Sequence, residues 1–145
     1  MPDTSKVLSF AIEFIMAKET EHGFESLTPL QQIVFVVTDL DSTVMIEGLF
    51  GYYDCRAGQR AVQAADALYM IGAHESAKII RLANAQFPSH VPPSEWEERR
   101  KILWSLDDVA AETIERMGER YAEYPDDLGD KFEAFVWENH DELTV

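Results

Sequence analysis

A single cysteine, Cys55, stands in a chain of 145 residues. It cannot form an internal disulfide, and with no second cysteine or histidine at ligand spacing it cannot found a standard structural zinc site. Basic side chains are scarce as well: 12 Lys and Arg face 27 Asp and Glu, a net charge of −15. Such a field opposes the counterion release that supplies most non-specific nucleic-acid affinity, and it opposes anionic membrane surfaces. Long apolar runs are missing, and none approaches the roughly 20 residues needed to cross a bilayer. The stretch Val7 to Ala17 is interrupted by Glu13, and its flank, with Asp3 and Lys6, lacks the net positive charge of a secretory leader. The expected location is the cytoplasm.

Catalytic signatures are absent in the same way. His74-Glu75 starts like a zinc-protease helix, but the residue four beyond His74 is Lys78, so the second ligand is missing. Gly48-Leu49-Phe50-Gly51 lacks the lysine of a phosphate-binding loop, and no serine sits in a nucleophile elbow. Carboxylates are abundant, yet none shows the alternating spacing of a calcium loop. The expectation is a non-enzymatic protein with no metal and no cofactor.

What is present is a core and a series of helix signals. Sixteen aromatics and 46% hydrophobic residues set the chain apart from acidic disordered sequences, and its length suits one domain. Leu8, Ala11, Ile12 and Ile15 share one face of a helix over residues 4–19, ended by Gly23. Thr28-Pro29-Leu30-Gln31 combines an N-cap, a proline at the first helical position and a capping-box glutamine. The β-branched run Ile33 to Val37 would suit a buried strand. Ile33, Val36, Val37, Leu40 and Val44 keep a helical period, however, and predict a largely buried helix as far as Gly48.

Gly48 to Gly58 reads as a helix end leading into a loop. Helices are then expected over Gln59–Ile71 and His74–Gln86, an antiparallel pair turned at Gly72. Pro88, Pro92 and Pro93 form a short linker. Ser94-Glu95-Trp96-Glu97 predicts a capping box and a helix to Trp104. Asp107 caps a helix to Glu123, and Pro125 is expected to open the last one. The fold class is all-α, a single-domain bundle of six to seven helices.

The negative charge is uneven. Residues 107–145 hold 13 acids and three bases, residues 1–50 eight and two, and residues 51–106 six and seven. Within the acidic end, Asp108, Glu112, Glu115, Glu119 and Glu123 are spaced four, three, four and four apart and form one stripe along a helix. At about 1.5 Å rise per residue their carboxylates lie roughly 5–6 Å apart along the axis. Leu106, Ala110, Ile114, Met117 and Tyr121 fall on the opposite, apolar face, and Arg116 and Arg120 flank the stripe. Such a row is an ordinary solvated helix face, or it imitates successive phosphates along one nucleic-acid strand, which proteins meet with Lys and Arg. Asp126, Asp127 and Asp130 extend the acidic set where negative charge also suits a helix start. Asp39, Asp41 and Glu47 offer a third acidic edge.

From Leu27 to the C-terminus the sequence resembles the bacterial DNA-mimic protein family, which shares an acidic helical domain otherwise of unknown function. The resemblance rests on Thr28 to Gln32, a valine stretch ending at Val44, a glycine–aromatic motif, Ala64 to Ala73, Ala77 to Ile80, Ala83 to Phe87, Arg99-Arg100 and the closing Asn139-His140. The segment around Ile71-Gly72-Ala73 is its most specific part. At the turn, where the family pattern is like Asn-Gly-Gly-Phe-x-Gln-Tyr-Phe-x-Asn, this chain has Ile46 to Cys55. Gly48, Tyr52 and Tyr53 are kept in kind, while both asparagines and the glutamine are replaced.

The resemblance implies residues 27–145 as the mimic-like domain, with the helix of residues 1–26 packed on it. It also implies an all-helical, dimeric protein whose acidic surface occupies the DNA-binding face of a transcription factor. Two other functions fit the composition. One is an immunity or inhibitor protein against a basic toxin or nuclease, using the same acidic face. The other is a hydrolase working through carboxylates and a metal. The expected partner is a basic DNA-binding protein or a basic toxin, with no nucleic acid and no membrane bound directly.

Overall fold

Thr28 opens the longest helix through a reciprocal cap: its hydroxyl accepts from Gln31 N at 3.2 Å while Gln31 Oε1 accepts from Thr28 N at 2.9 Å. The same buried Gln31 donates to the carbonyls of Leu143 and Val145, at 3.0 and 3.2 Å, and accepts from Lys18 at 2.9 Å. One side chain thus joins three parts of the chain that are distant in sequence. The computed structural model describes residues 3–145. Among them are seven α-helices and no strand: α1 (Thr4–His22), α2 (Pro29–Asp54), α3 (Ala61–Met70), α4 (His74–Asn84), α5 (Trp96–Leu103), α6 (Asp108–Ala122) and α7 (Leu128–Leu143).

The β-branched run lies inside α2, where Ile33, Val34, Phe35, Val36 and Val37 are all buried. A helix apolar on every side must be surrounded, and α2 contacts α1, α3, α5, α6 and α7. Buried Ala11 and Ile15 bring α1 into this core, against α7 and α2. The α3–α4 pair is antiparallel: Tyr69 stacks on His74 at 4.3 Å, Asp66 pairs with Arg81 at 3.1 Å, and Asn84 Nδ2 donates to Ala61 O at 3.2 Å. Alanines at 61, 64, 65, 77 and 83 are buried, letting the two backbones approach closely. Gly72, at φ +94°, makes the turn between them.

Several local expectations are corrected. The helix does not end at Gly48. Gly48 adopts φ 76°, ψ 171°, a kink, and the chain re-enters helical geometry through Tyr52 and Tyr53 to Asp54. The helix expected from Gln59 is a 3-10 turn over Arg56–Arg60 followed by α3. The cap of α5 is Glu95 rather than Ser94, its carboxylate accepting from Glu98 N at 2.6 Å. Pro125 does not open α7, because Tyr124 and Asp127 both take positive φ and delay the helix to Leu128. The Asp107 cap is as expected, accepting from Ala110 N at 2.8 Å.

Candidate protein-interaction surface

On α6, Ile114, Met117, Gly118 and Tyr121 are buried, whereas Leu106 and Ala110 are only half-buried. Asp108, Glu112, Glu115, Glu119 and Glu123 are all exposed along the other side. No ion pair within 4 Å joins Arg116 or Arg120 to this stripe among the described residues; Arg116 donates instead to Thr113 Oγ1 at 3.3 Å. The stripe's carboxylates are therefore exposed and without a basic partner among the described residues.

The crossing of α6 over α2 is set by two glycines. Gly118 packs so tightly on Leu49 that a Cβ there would lie 2.8 Å from Leu49 Cβ. Gly48 supplies the kink that brings Leu49 beneath it. A Cβ at Gly48 would meet nothing within 4 Å, so its glycine is required by backbone conformation rather than space. The kink opens a groove of about 380 Å³ between α2 and α6, rimmed by Glu47, Glu115 and Glu119 over Val44, Met45 and Leu49. Glu47 thus joins the stripe, as a third acidic edge would.

Asp39 and Asp41 do not form that edge. Asp41 Oδ1 accepts from the hydroxyls of Tyr121 and Tyr124, at 3.0 and 3.1 Å, and so pins the end of α6 to α2. Both phenols are pushed above their ordinary range, by burial first and then by the Asp41 charge. Asp39 is half-buried, and burial raises its pKa although Arg60 pulls the other way.

The residues after α6 divide by role. Asp127 and Asp130 are exposed. Asp126 is half-buried and accepts from Ser76 N at 2.7 Å. Ala73, at the N-cap of α4, has no side-chain acceptor, so Asp126 caps α4 from across the molecule.

Tyr52 and Tyr53 are buried, and Tyr53 donates its hydroxyl to Asn84 Oδ1 at 2.6 Å. Beneath them lies a residue that charge and periodicity did not single out, the fully buried Arg99. Its guanidinium donates to Tyr53 O at 2.7 Å, Cys55 O at 2.6 Å, and Pro93 O and Ser94 O at 3.1 Å each. A cation on the last carbonyls of α2 complements the helix dipole and ties that end to the proline linker. Gly58 completes the arrangement, since a Cβ there would lie 2.7 Å from Tyr52 O and 2.9 Å from Arg99 Nε. The one available signal was Arg99-Arg100 within the resembling segments. Nothing in its spacing marked Arg99 as buried.

The sequence profile of the DMP19-like protein family matches residues 25–139. The chain belongs to the DMP19-like family. The family name denotes DNA mimic protein 19. The match takes in α2 to α6, the whole stripe and most of α7, while α1 lies before it. Neither the curated proteins nor the solved structures hold a significant match to the chain. Among the described residues no three His, Cys, Asp or Glu side chains converge to hold a metal ion. Among the same described residues no helix is long and apolar enough to cross a membrane.

Proposed function

We propose that this DMP19-like chain acts as a double-stranded-DNA mimic that occupies the DNA-binding face of a basic protein such as a transcription factor. The observation that carries the reading is the exposed, unpaired row Asp108, Glu112, Glu115, Glu119 and Glu123 along α6, with Glu47 across the groove from Glu115 and Glu119; the exposed Asp127 and Asp130 are proposed to extend it. A fixed row of carboxylates presents to lysine and arginine what a phosphate strand presents, without the entropy of ordering loops. Asp126, Gly48, Tyr52 and Tyr53 support this surface from within.

The protein works by binding, not catalysis, in the cytoplasm, with α1 as part of the same domain and a homodimer as the working form. It takes no cofactor. Affinity capture from native lysate at low and high salt tests the reading. A DNA-binding protein released as salt rises supports mimicry. A toxin or nuclease held through the same stripe would replace mimicry with inhibition.

A further inference from the structure

We infer that the groove at the Gly48 kink is an arginine-reading pocket that gives the acidic face its selectivity among basic partners. This inference rests on the binding role proposed above for the α6 stripe.

The argument begins with the shape. A stripe of exposed carboxylates on a convex helix attracts lysine and arginine alike, because a point charge in water is all it sees. The kink changes this locally. It sinks Val44 and Leu49 below Glu47 on one bank and Glu115 and Glu119 on the other, with Phe50 and Met45 at the edge. Val44 and Leu49 are buried, so the floor is apolar, and the volume of about 380 Å³ accepts a whole long side chain.

The chemistry of the walls then selects the guest. An extended aliphatic stem loses water contact against Val44, Met45 and Leu49 while its charged head stays at the acidic rim. None of Glu47, Glu115 and Glu119 takes part in an ion pair or a side-chain hydrogen bond among the described residues. Three acceptors without a cation are therefore open to a guest. The turn before Gly48 also ends a helical segment, whose carbonyl end carries negative potential. A guanidinium, planar and weakly hydrated, can bridge separated carboxylates and lie on the Phe50 ring, which Trp104 holds edge-on at 5.2 Å. A compact, strongly hydrated ammonium gains less from each of these contacts. The occupant is an arginine side chain projecting from a basic segment of the partner.

The test compares an oligoarginine with an oligolysine of equal length, titrated calorimetrically into the full chain at low salt. The pocket predicts that oligoarginine binds about tenfold more tightly. Ala122→Leu narrows the groove from its exposed rim without changing charge or adding an aromatic face for a guanidinium, and it should erase that preference while leaving salt-sensitive binding of both peptides. Glu47→Gln, on the exposed surface, serves as a second variant and should shrink the preference. Asp108→Lys with Glu112→Lys, along the stripe from the groove, should weaken both peptides equally. Equal affinities for the two peptides, unaffected by Ala122→Leu, would overturn the pocket and leave the stripe standing. No binding of either peptide would overturn both.

Discussion

Gly118 of α6 rests directly on Leu49 of α2, at a distance that leaves no room for a methyl group. This contact fixes how far Glu115 and Glu119 stand from Glu47, and so the width of the groove between the two helices. Two effects compete if Gly118 becomes alanine. Helix propensity favours the change by about 1 kcal/mol. Overpacking against Leu49 Cβ and N, neither at the flexible end of a side chain, costs about 1–3 kcal/mol. Gly118→Ala is therefore expected to lower Tm, whereas Gly129→Ala, in α7 with nothing within 4 Å, should raise it slightly. A higher Tm for Gly118→Ala in thermal unfolding would show that the two helices are not in close contact there.

Arg99 gives the second prediction. Its removal leaves four backbone carbonyls around a buried space, so Arg99→Ala should destabilise by at least about 3 kcal/mol. Arg99→Lys should recover only part of this, because a compact ammonium cannot reach the spread of sites that the guanidinium fork reaches. Denaturant unfolding of both variants measures the difference, and equal stability of Arg99→Lys and the parent would refute the fork.

Asp126 separates capping from partner binding. Asp126→Ala removes the acceptor for Ser76 N and should cost about 0.5–2 kcal/mol. Partner affinity should hardly change compared with loss of Glu115 or Glu119. An unchanged Tm with strongly weakened binding would reverse this assignment.

Asp39 predicts a pH dependence of opposite sign to that of the common salt-bridged aspartate. Its folded pKa is raised, so the unfolded chain gives up this proton first as pH rises. Between the unfolded and folded pKa values, stability contributed by this group falls with increasing pH, and the penalty remains above them. Asp39→Asn should accordingly gain in Tm at neutral pH, the gain vanishing as pH falls below the unfolded aspartate range. A gain that persists in acid would place its origin elsewhere.

Much of this architecture was legible in sequence because local rules and tertiary demands agreed. Thr28, Pro29 and Gln31 announced α2, Asp107 announced α6, and Gly72 announced the α3–α4 turn. The run Ile33 to Val37 was readable as helix because its period extended to Val44, and burial on every side then accounts for its β-branched content. What stayed hidden depends on contacts across the chain. Gly48 signals a helix stop locally, yet Tyr53 bonding to Asn84 and Arg99 capping the carbonyls make it worthwhile to resume the helix. The stripe on α6 followed from spacing alone. Its meeting with Glu47 needed the crossing at Gly118, and the diversion of Asp41 to Tyr121 and Tyr124 needed the same crossing.

The central claim is that the α6 stripe stands in for a DNA strand. The most direct measurement is displacement: the DNA-binding protein captured with this chain is loaded with labelled duplex, and anisotropy is followed as the chain is added. The account predicts that the parent releases the duplex, less effectively as salt is raised, and that the Glu115→Lys, Glu119→Lys double variant, with unchanged Tm, fails to release it. Duplex that stays bound at saturating chain, or equal release by the double variant, would contradict it.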